Sequence, residues 1–141
     1  MTYQSKHERR AVRILVAESR RDVRSALRLL LEQGSDMVVA SEISRAEDLL
    51  EQVRLTRPDV ITLDCDLPGL RTEELLAAVR SICPRVWVVA LCSRSEARAA
   101  ALSAGADAFV SKADPPRRLL DVIKQGCQKR ASEERGKPNG Q

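Results

Sequence analysis

With 141 residues, 43% apolar and 31% charged, the chain has the size and composition of one globular domain able to bury a single core without staples. Aromatic residues are only 2%, which leaves the core to Leu, Val, Ile and Ala and excludes the stacked-aromatic surfaces that hold single-stranded nucleic acid. The formal net charge of +4 sits at the ends, because residues 14–123 hold 15 basic and 17 acidic side chains, so it describes solvated termini or an acidic partner rather than a nucleic-acid-binding body.

From the amino end, residues 1–11 read as a basic tail. Its start, MTYQSKHERR, lacks the apolar stretch of a secretion signal, and no segment approaches the roughly 18 to 20 apolar residues that span a bilayer. The expectation is a cytoplasmic protein with no membrane partner. Val12 to Ala17 is a continuous apolar run, hence a strand; Val23, Ala26, Leu27, Leu30 and Leu31 then mark one helix face, and Gly34 stops it. Met37 to Ala40 reads as a second strand. Ser44-Arg45-Ala46-Glu47 reads as a capping box opening a helix that buries Ala46, Leu49, Leu50 and Val53. Val60 to Leu63 is a third strand and residues 72–81 a third helix. Val86 to Leu91 is a fourth strand, and Ser93-Arg94-Ser95-Glu96 a second capping box before an Ala-rich helix ended by Gly105. Ala108 to Val110 is a fifth strand, and Asp114-Pro115 supplies a cap and a first-turn proline for a last helix bearing Leu119, Val122, Ile123 and Cys127. Residues 129–141 turn to Lys, Arg, Glu, Gly, Pro and Asn, a disordered polar tail.

Strands that are apolar at consecutive positions are buried on both faces, as in a parallel sheet between two helix layers. The fold class is therefore α/β, a (βα)5 doubly wound parallel sheet over residues 12–128, for which the flavodoxin-like order 2-1-3-4-5 is the expectation. In that order the first and third strands are neighbours, so Glu18 and Asp64 face a common crevice. The four cysteines, Cys65, Cys83, Cys92 and Cys127, have no C-x-x-C spacing and only His7 for company, which argues against zinc. They read as free thiols in a reducing compartment, with a redox sensor as the alternative for Cys65 and Cys92, which flank the crevice.

The segment Pro58-Asp59-Val60-Ile61-Thr62-Leu63-Asp64-Cys65-Asp66-Leu67-Pro68-Gly69 carries the most chemistry. It puts a carboxylate at the carboxyl end of a parallel strand, where open α/β sheets bind ligands; the plainer reading makes Asp64 a cap of the loop. Lys112 ends the fifth strand beside the same crevice. Ser19-Arg20-Arg21-Asp22 reads as a helix N-cap with an acid in the first turn.

Asp64 with Pro68-Gly69 beyond it, together with Ala104-Gly105-Ala106-Asp107-Ala108-Phe109-Val110-Ser111-Lys112, resembles the receiver domains of two-component response regulators, the CheY-like superfamily, over residues 12–127. The resemblance implies Asp64 as phosphoacceptor, Lys112 as the phosphate-binding cation, and Phe109 as the aromatic switch position. It also implies Mg2+ held by Glu18, Asp64 and the backbone carbonyl of Asp66. Three departures mark an atypical member. Ser19 stands where the family has a second metal-binding acid, Ala90 where it has the Thr or Ser that hydrogen-bonds the phosphoryl group, and Leu91 where it has a small residue. Ala113 replaces the proline that usually follows the lysine.

What this implies is a signalling module whose switch is impaired and whose Mg2+ binding is weak. Its chemistry extends at most to self-phosphorylation from a phosphodonor and autodephosphorylation. The alternative is a fully competent Mg2+-dependent regulator. The implied partners are a histidine kinase or another signalling protein, with a homodimer through the fourth helix, fifth strand and fifth helix; no specific nucleic-acid partner is expected. Without a metal, Glu18, Asp64 and Asp66 brought together would raise at least one carboxyl pKa by repulsion. A flavin site is disfavoured, since Glu18-Ser19-Arg20-Arg21 has no glycine to cradle a phosphate.

Overall fold

The computed structural model describes residues 10–136, with side chains as far as Glu133. Five strands, β1 (Val12–Ala17), β2 (Met37–Ile43), β3 (Val60–Asp64), β4 (Trp87–Cys92) and β5 (Ala108–Ser111), alternate with five helices. These are α1 (Arg21–Leu31), α2 (Leu49–Thr56), α3 (Thr72–Ile82), α4 (Arg98–Ser103) and α5 (Pro116–Gly136). The strands pair in parallel in the order β2-β1-β3-β4-β5, the flavodoxin-like order expected from the apolar runs.

Alternate residues of each strand feed two separate cores, which is why the runs are apolar without interruption. Leu15, Ala17, Ile61, Leu63, Val88 and Ala90 pack with Leu49, Val53, Leu76, Val79 and Ala101 of α2, α3 and α4. Ile14, Val16, Val60, Val89, Leu91 and Val110 pack with Leu27 and Leu31 of α1 and Leu119, Val122 and Ile123 of α5. Each buried Leu, Ile or Val contributes about 1.5–3 kcal/mol of transfer free energy, enough to hold the sheet rigid under whatever its carboxyl edge carries. Among the described residues no helix is long and apolar enough to cross a membrane.

Three expectations about element ends differ from what is found. Neither capping box forms: α2 and α4 are each entered through a 3₁₀ turn, Ala46–Asp48 and Ser95–Ala97, with no side-chain cap bond. At the first, a backbone acceptor takes a donor that Ser44 would have satisfied, since the Ala46 amide donates to the Pro68 carbonyl at 3.0 Å; at the second, the turn is closed by the Ala97 amide donating to the Arg94 carbonyl at 3.1 Å. Strand β2 runs three residues past Ala40, because its pairing with β1 survives a register shift between Ile14 and Leu15 and continues to Ile43. Finally, α5 passes residue 128 and ends at Gly136. Its last turns are rich in good helix formers and are anchored by Arg130 Nη1, which donates to the Asp59 carbonyl at 3.3 Å, and by Lys129, whose ammonium lies 6.0 Å from the Trp87 ring centre. The amino-terminal tail through residue 9, and residues 137–141, lie outside the described residues.

Candidate functional site

The carboxyl edge of the sheet brings the ends of β1, β3, β4 and β5 together. All five residues of β3 are buried, so its last side chain, Asp64, is a carboxyl group at the floor of the crevice, 1% exposed. The chain then turns away through Leu67, whose amide donates to the Asp64 carbonyl at 3.2 Å, and Gly69, whose φ of 78° lies in the left-handed region that glycine tolerates.

Both carboxyl oxygens of Asp64 are engaged. Oδ1 accepts from Lys112 Nζ and from the Asp66 amide, each at 3.0 Å. Oδ2 accepts from the Ser19 hydroxyl at 3.1 Å and the Ser19 amide at 3.3 Å. Ser19 is thus not the helix cap its position suggests: the N-cap of α1 is Arg20, without a side-chain bond, and Ser19 is turned into the crevice, where its hydroxyl donates to an ionised carboxylate instead of accepting from a first-turn amide.

Lys112 stands between two acids. Its Nζ lies 3.0 Å from Asp64 Oδ1 and 3.0 Å from Glu18 Oε1, the latter an ion-pair contact without hydrogen-bond geometry. Glu18 is fully buried, and its Oε2 accepts from the Arg20 amide at 3.1 Å. The lysine is aimed by its own backbone, since its amide donates to the Cys92 carbonyl at 2.7 Å and the preceding Ser111 amide to Asp114 Oδ2 at 3.0 Å. Arg24, which sequence reasoning overlooked, pins the loop before α1 by donating to the carbonyls of Glu18 at 3.0 Å and Ser19 at 3.4 Å. Nothing in a helical arginine's sequence context announces such a bond to a loop backbone.

Burial by itself pushes the Asp64 carboxyl up, but the Asp66 amide, the Lys112 ammonium and the Ser19 amide outweigh it and hold it below the ordinary aspartate value. Burial likewise pulls Lys112 down, while its hydrogen bond to Asp64, its contact with Glu18 and the charges of both raise it above the ordinary lysine value. The expected crowding of three acids therefore does not set the Asp64 protonation. The Asp66 side chain is exposed, and a cation already lies between the other two.

The donors that Mg2+ would need are only partly present. Glu18 Oε1 is a buried oxygen without a hydrogen bond, but Ser19 offers a hydroxyl in place of a carboxylate and Lys112 lies within 3.0 Å of both acids. Among the described residues no three His, Cys, Asp or Glu side chains form a group that could hold a metal ion.

Beside the acids, Ala90 is in register with Leu63 on one side and Phe109 on the other. Phe109 is buried, with the Arg98 guanidinium carbon 5.9 Å from its ring centre. Leu91 is in register with Asp64, buried in the core under α1 and α5, and lines the same groove as Arg20 and Lys112. Cys65 and Cys92 are paired as a disulfide, their Cα atoms 5.1 Å apart. This corrects the reading of all four cysteines as free thiols, which holds for Cys83 and Cys127 alone. The reason is the parallel register, which sequence spacing does not reveal: residues 27 apart in the chain end neighbouring strands.

The family description "Response regulator receiver domain" matches residues 14–124. Among curated proteins, the nitrate/nitrite response regulator protein NarL of Escherichia coli K12 is 30% identical over 116 residues, 81% of this chain and 54% of its own length. The protein-glutamate methylesterase/protein-glutamine glutaminase 5 of Myxococcus xanthus is 38% identical over 104 residues, 72% of this chain but 30% of that protein. The chain spans about half the length of the first of these relatives and less of the second. Among solved structures, a CheY-like response regulator receiver domain protein from Methanospirillum hungatei superposes with a TM-score of 0.77 at 24% identity, covering 88% of this chain and 99% of that one. A DNA-binding response regulator of the LuxR family from Staphylococcus aureus superposes with a TM-score of 0.72 at 22% identity, over 82% and 98% of the two chains. The expectation of no specific nucleic-acid partner finds no support in such relatives.

Proposed function

This chain belongs to the response regulator receiver domain family of two-component signalling, and from that premise we propose that Asp64 is its phosphoacceptor and that the switch built on Asp64 is impaired. The observation that carries the proposal is the Asp64 carboxylate held at 3.0 Å from Lys112 in a crevice where Ser19 and Ala90 replace the family's second acid and hydroxyl.

In the reaction an Asp64 oxygen attacks the phosphorus of a phosphodonor, the bond to the donor's leaving group breaks, and an acyl phosphate forms. Lys112 pairs with the charge that arrives. Mg2+ would be held by Glu18, Asp64 and the Asp66 backbone carbonyl and, when bound, neutralises phosphoryl charge. That site is weak, because Ser19 supplies no charge and Lys112 already offsets one of the two acid charges. The pocket of two carboxylates and one ammonium carries a single net negative charge, so it has little to gain from a divalent ion.

Relay from the site is weakened further. A hydrogen bond to a charged group contributes about 1.5–3 kcal/mol, and driving a population from 1:99 to 99:1 takes about 5.5 kcal/mol, so the hydroxyl missing at Ala90 removes a large share of the drive. Phe109, already buried under Arg98, has little burial left to gain as a switch residue. Leu91 narrows the approach to Asp64. The module is not an enzyme in its own right and signals by contact with a histidine kinase or another signalling protein. On the side of α4, β5 and α5 a groove is lined by Arg98, Arg118 and Lys129 with one acid, Asp107, which is committed to Arg80 at 2.8 Å. Such a face suits an acidic partner better than its own two-fold copy.

The second reading, a fully competent Mg2+-dependent regulator, is favoured by the Asp64–Lys112 pair. Incubation with Mg2+ and acetyl phosphate or beryllofluoride separates the two. Substoichiometric mass gain that disappears in Asp64→Asn supports the impaired switch, stoichiometric gain that disappears in Asp64→Asn establishes the competent one, and no gain at all counts against Asp64 as the phosphoacceptor.

A further inference from the structure

Cys65 directly follows Asp64, and Cys92 is the last residue of β4. The register that sets Asp64 opposite Leu91 sets these cysteines on neighbouring strand ends, and the Cys65 amide carries the ladder one step further by donating to the Leu91 carbonyl at 3.1 Å. The Cα separation of 5.1 Å is inside the range of about 4.4–6.8 Å that a disulfide spans without moving the backbone. The two cores already close both faces of the sheet, so the fold does not depend on this link. Cys65 is half-buried against the core under α2, α3 and α4 and Cys92 is buried within it, an arrangement in which one sulfur meets the oxidant and the other resolves it. The remaining cysteines stand apart, Cys83 at the end of α3 and Cys127 on α5, where burial pushes the thiol pKa up.

We propose that Cys65 and Cys92 are a reversible thiol-oxidation site, closed by a peroxide and opened by a dithiol, whose disulfide ties the loop after Asp64 to the end of β4. In the closing reaction the Cys65 thiolate attacks one oxygen of hydrogen peroxide, the O–O bond breaks, and a sulfenic acid forms while the departing hydroxide leaves as water with the thiol proton. The Cys92 thiol then attacks the Cys65 sulfur, the S–O bond breaks, and a second water leaves. Two thiols lose two electrons and the peroxide gains them. A dithiol reopens the link by two exchanges and is itself oxidised to a disulfide. Any consequence for phosphoryl transfer rests on Asp64 being the phosphoacceptor, and is measured separately.

The test uses the full chain, reduced or treated with hydrogen peroxide, quenched, then unfolded, alkylated with N-ethylmaleimide and weighed. The reduced protein takes an adduct on each of its four cysteines; the oxidised monomer takes adducts on Cys83 and Cys127 alone, and dithiothreitol restores all four. Cys65→Ser and Cys92→Ser each lose the closure. Alkylation of all four cysteines after peroxide, a link involving Cys83 or Cys127, a covalent dimer, or loss that dithiothreitol does not reverse would each overturn the site. Backbone amide exchange across residues 65–70 is expected to slow by at least about threefold in the oxidised form, and to match the reduced protein in the double variant Cys65→Ser/Cys92→Ser. Equal exchange in the oxidised and reduced forms would overturn the tie. Acetyl phosphate labelling is expected to be slower in the oxidised form. Absence of labelling in both forms counts against the phosphoacceptor reading alone, because the adduct count still decides the thiol site.

Discussion

Lys112, 3.0 Å from both Glu18 and Asp64, is the residue on which the crevice balances. Removing it strands two buried carboxylates, so Lys112→Met should lower unfolding free energy in urea by about 3 kcal/mol, whereas Asp64→Asn leaves Lys112 paired with Glu18 and should change it by less than about 1 kcal/mol. The pH dependence follows from the two shifts. The Asp64 value is lowered on folding from its usual 3.8, so its contribution is present above that value and is lost as pH falls through the lower folded one. The Lys112 value is raised from its usual 10.5, so its contribution is present below that value and is lost as pH rises through the higher folded one. Thermal unfolding should therefore show a plateau between these limits, with the acid limb shallower in Asp64→Asn. Restoring the missing acid makes the converse case. Ser19→Asp should destabilise the metal-free protein by like-charge repulsion and gain about 2.7 kcal/mol when Mg2+ is raised to a hundred times its dissociation constant, while the same Mg2+ leaves the unsubstituted protein nearly unchanged. An equal Mg2+ response in both proteins would refute the weak-site proposal.

Among the elements, α5 shows packing overriding local preference. A Cβ added at Gly126 would fall on the Trp87 indole, so this glycine exists to let β4's first side chain lie under the helix. Helix propensity alone makes Gly126→Ala favourable by about 1 kcal/mol, and overpacking opposes it with about 1–3 kcal/mol. The substitution should destabilise the protein in a Trp87-containing chain and stabilise it once Trp87→Leu has made room, a reversal of sign that a double-mutant cycle measures directly. The same helix places Lys129 over that ring and Arg130 on the Asp59 carbonyl, tying the far end of the chain to the start of β3, the strand that carries Asp64.

At the scale of the molecule, the basic α4–β5–α5 face sets the expected assembly. Arg98, Arg118 and Lys129 on one copy would meet the same charges on a two-fold partner, so sedimentation at low ionic strength should show a monomer. A dimer that persists in dilute buffer and loosens only when Arg98 or Arg118 is replaced would reverse the charge argument.

Much of this protein was legible in its residues. Consecutive apolar runs separated by helix-period stripes determine a parallel sheet between two helix layers, since only strands buried on both faces need apolar residues at every position. The short segment from Val60 to Gly69 and the stretch ending at Lys112 likewise determine that a carboxylate and an ammonium end neighbouring parts of one sheet edge. Other features were settled by tertiary contact. The direction of Ser19 depended on the Asp64 carboxylate being there to accept from its hydroxyl, Ser44 lost the Ala46 amide to the Pro68 carbonyl of a distant loop, and residues 129–136 are helical because Trp87 and Asp59 give that segment something to hold. Local sequence sets what a residue prefers, but it does not contain the positions of partners far along the chain, and the Ser19–Asp64 bond, 45 residues apart, and the Arg130–Asp59 bond, 71 apart, are of that kind. The pairing of Cys65 with Cys92 is the clearest instance: four scattered cysteines determined nothing by their spacing, and the parallel register of β3 and β4 brought two of them together beside Asp64.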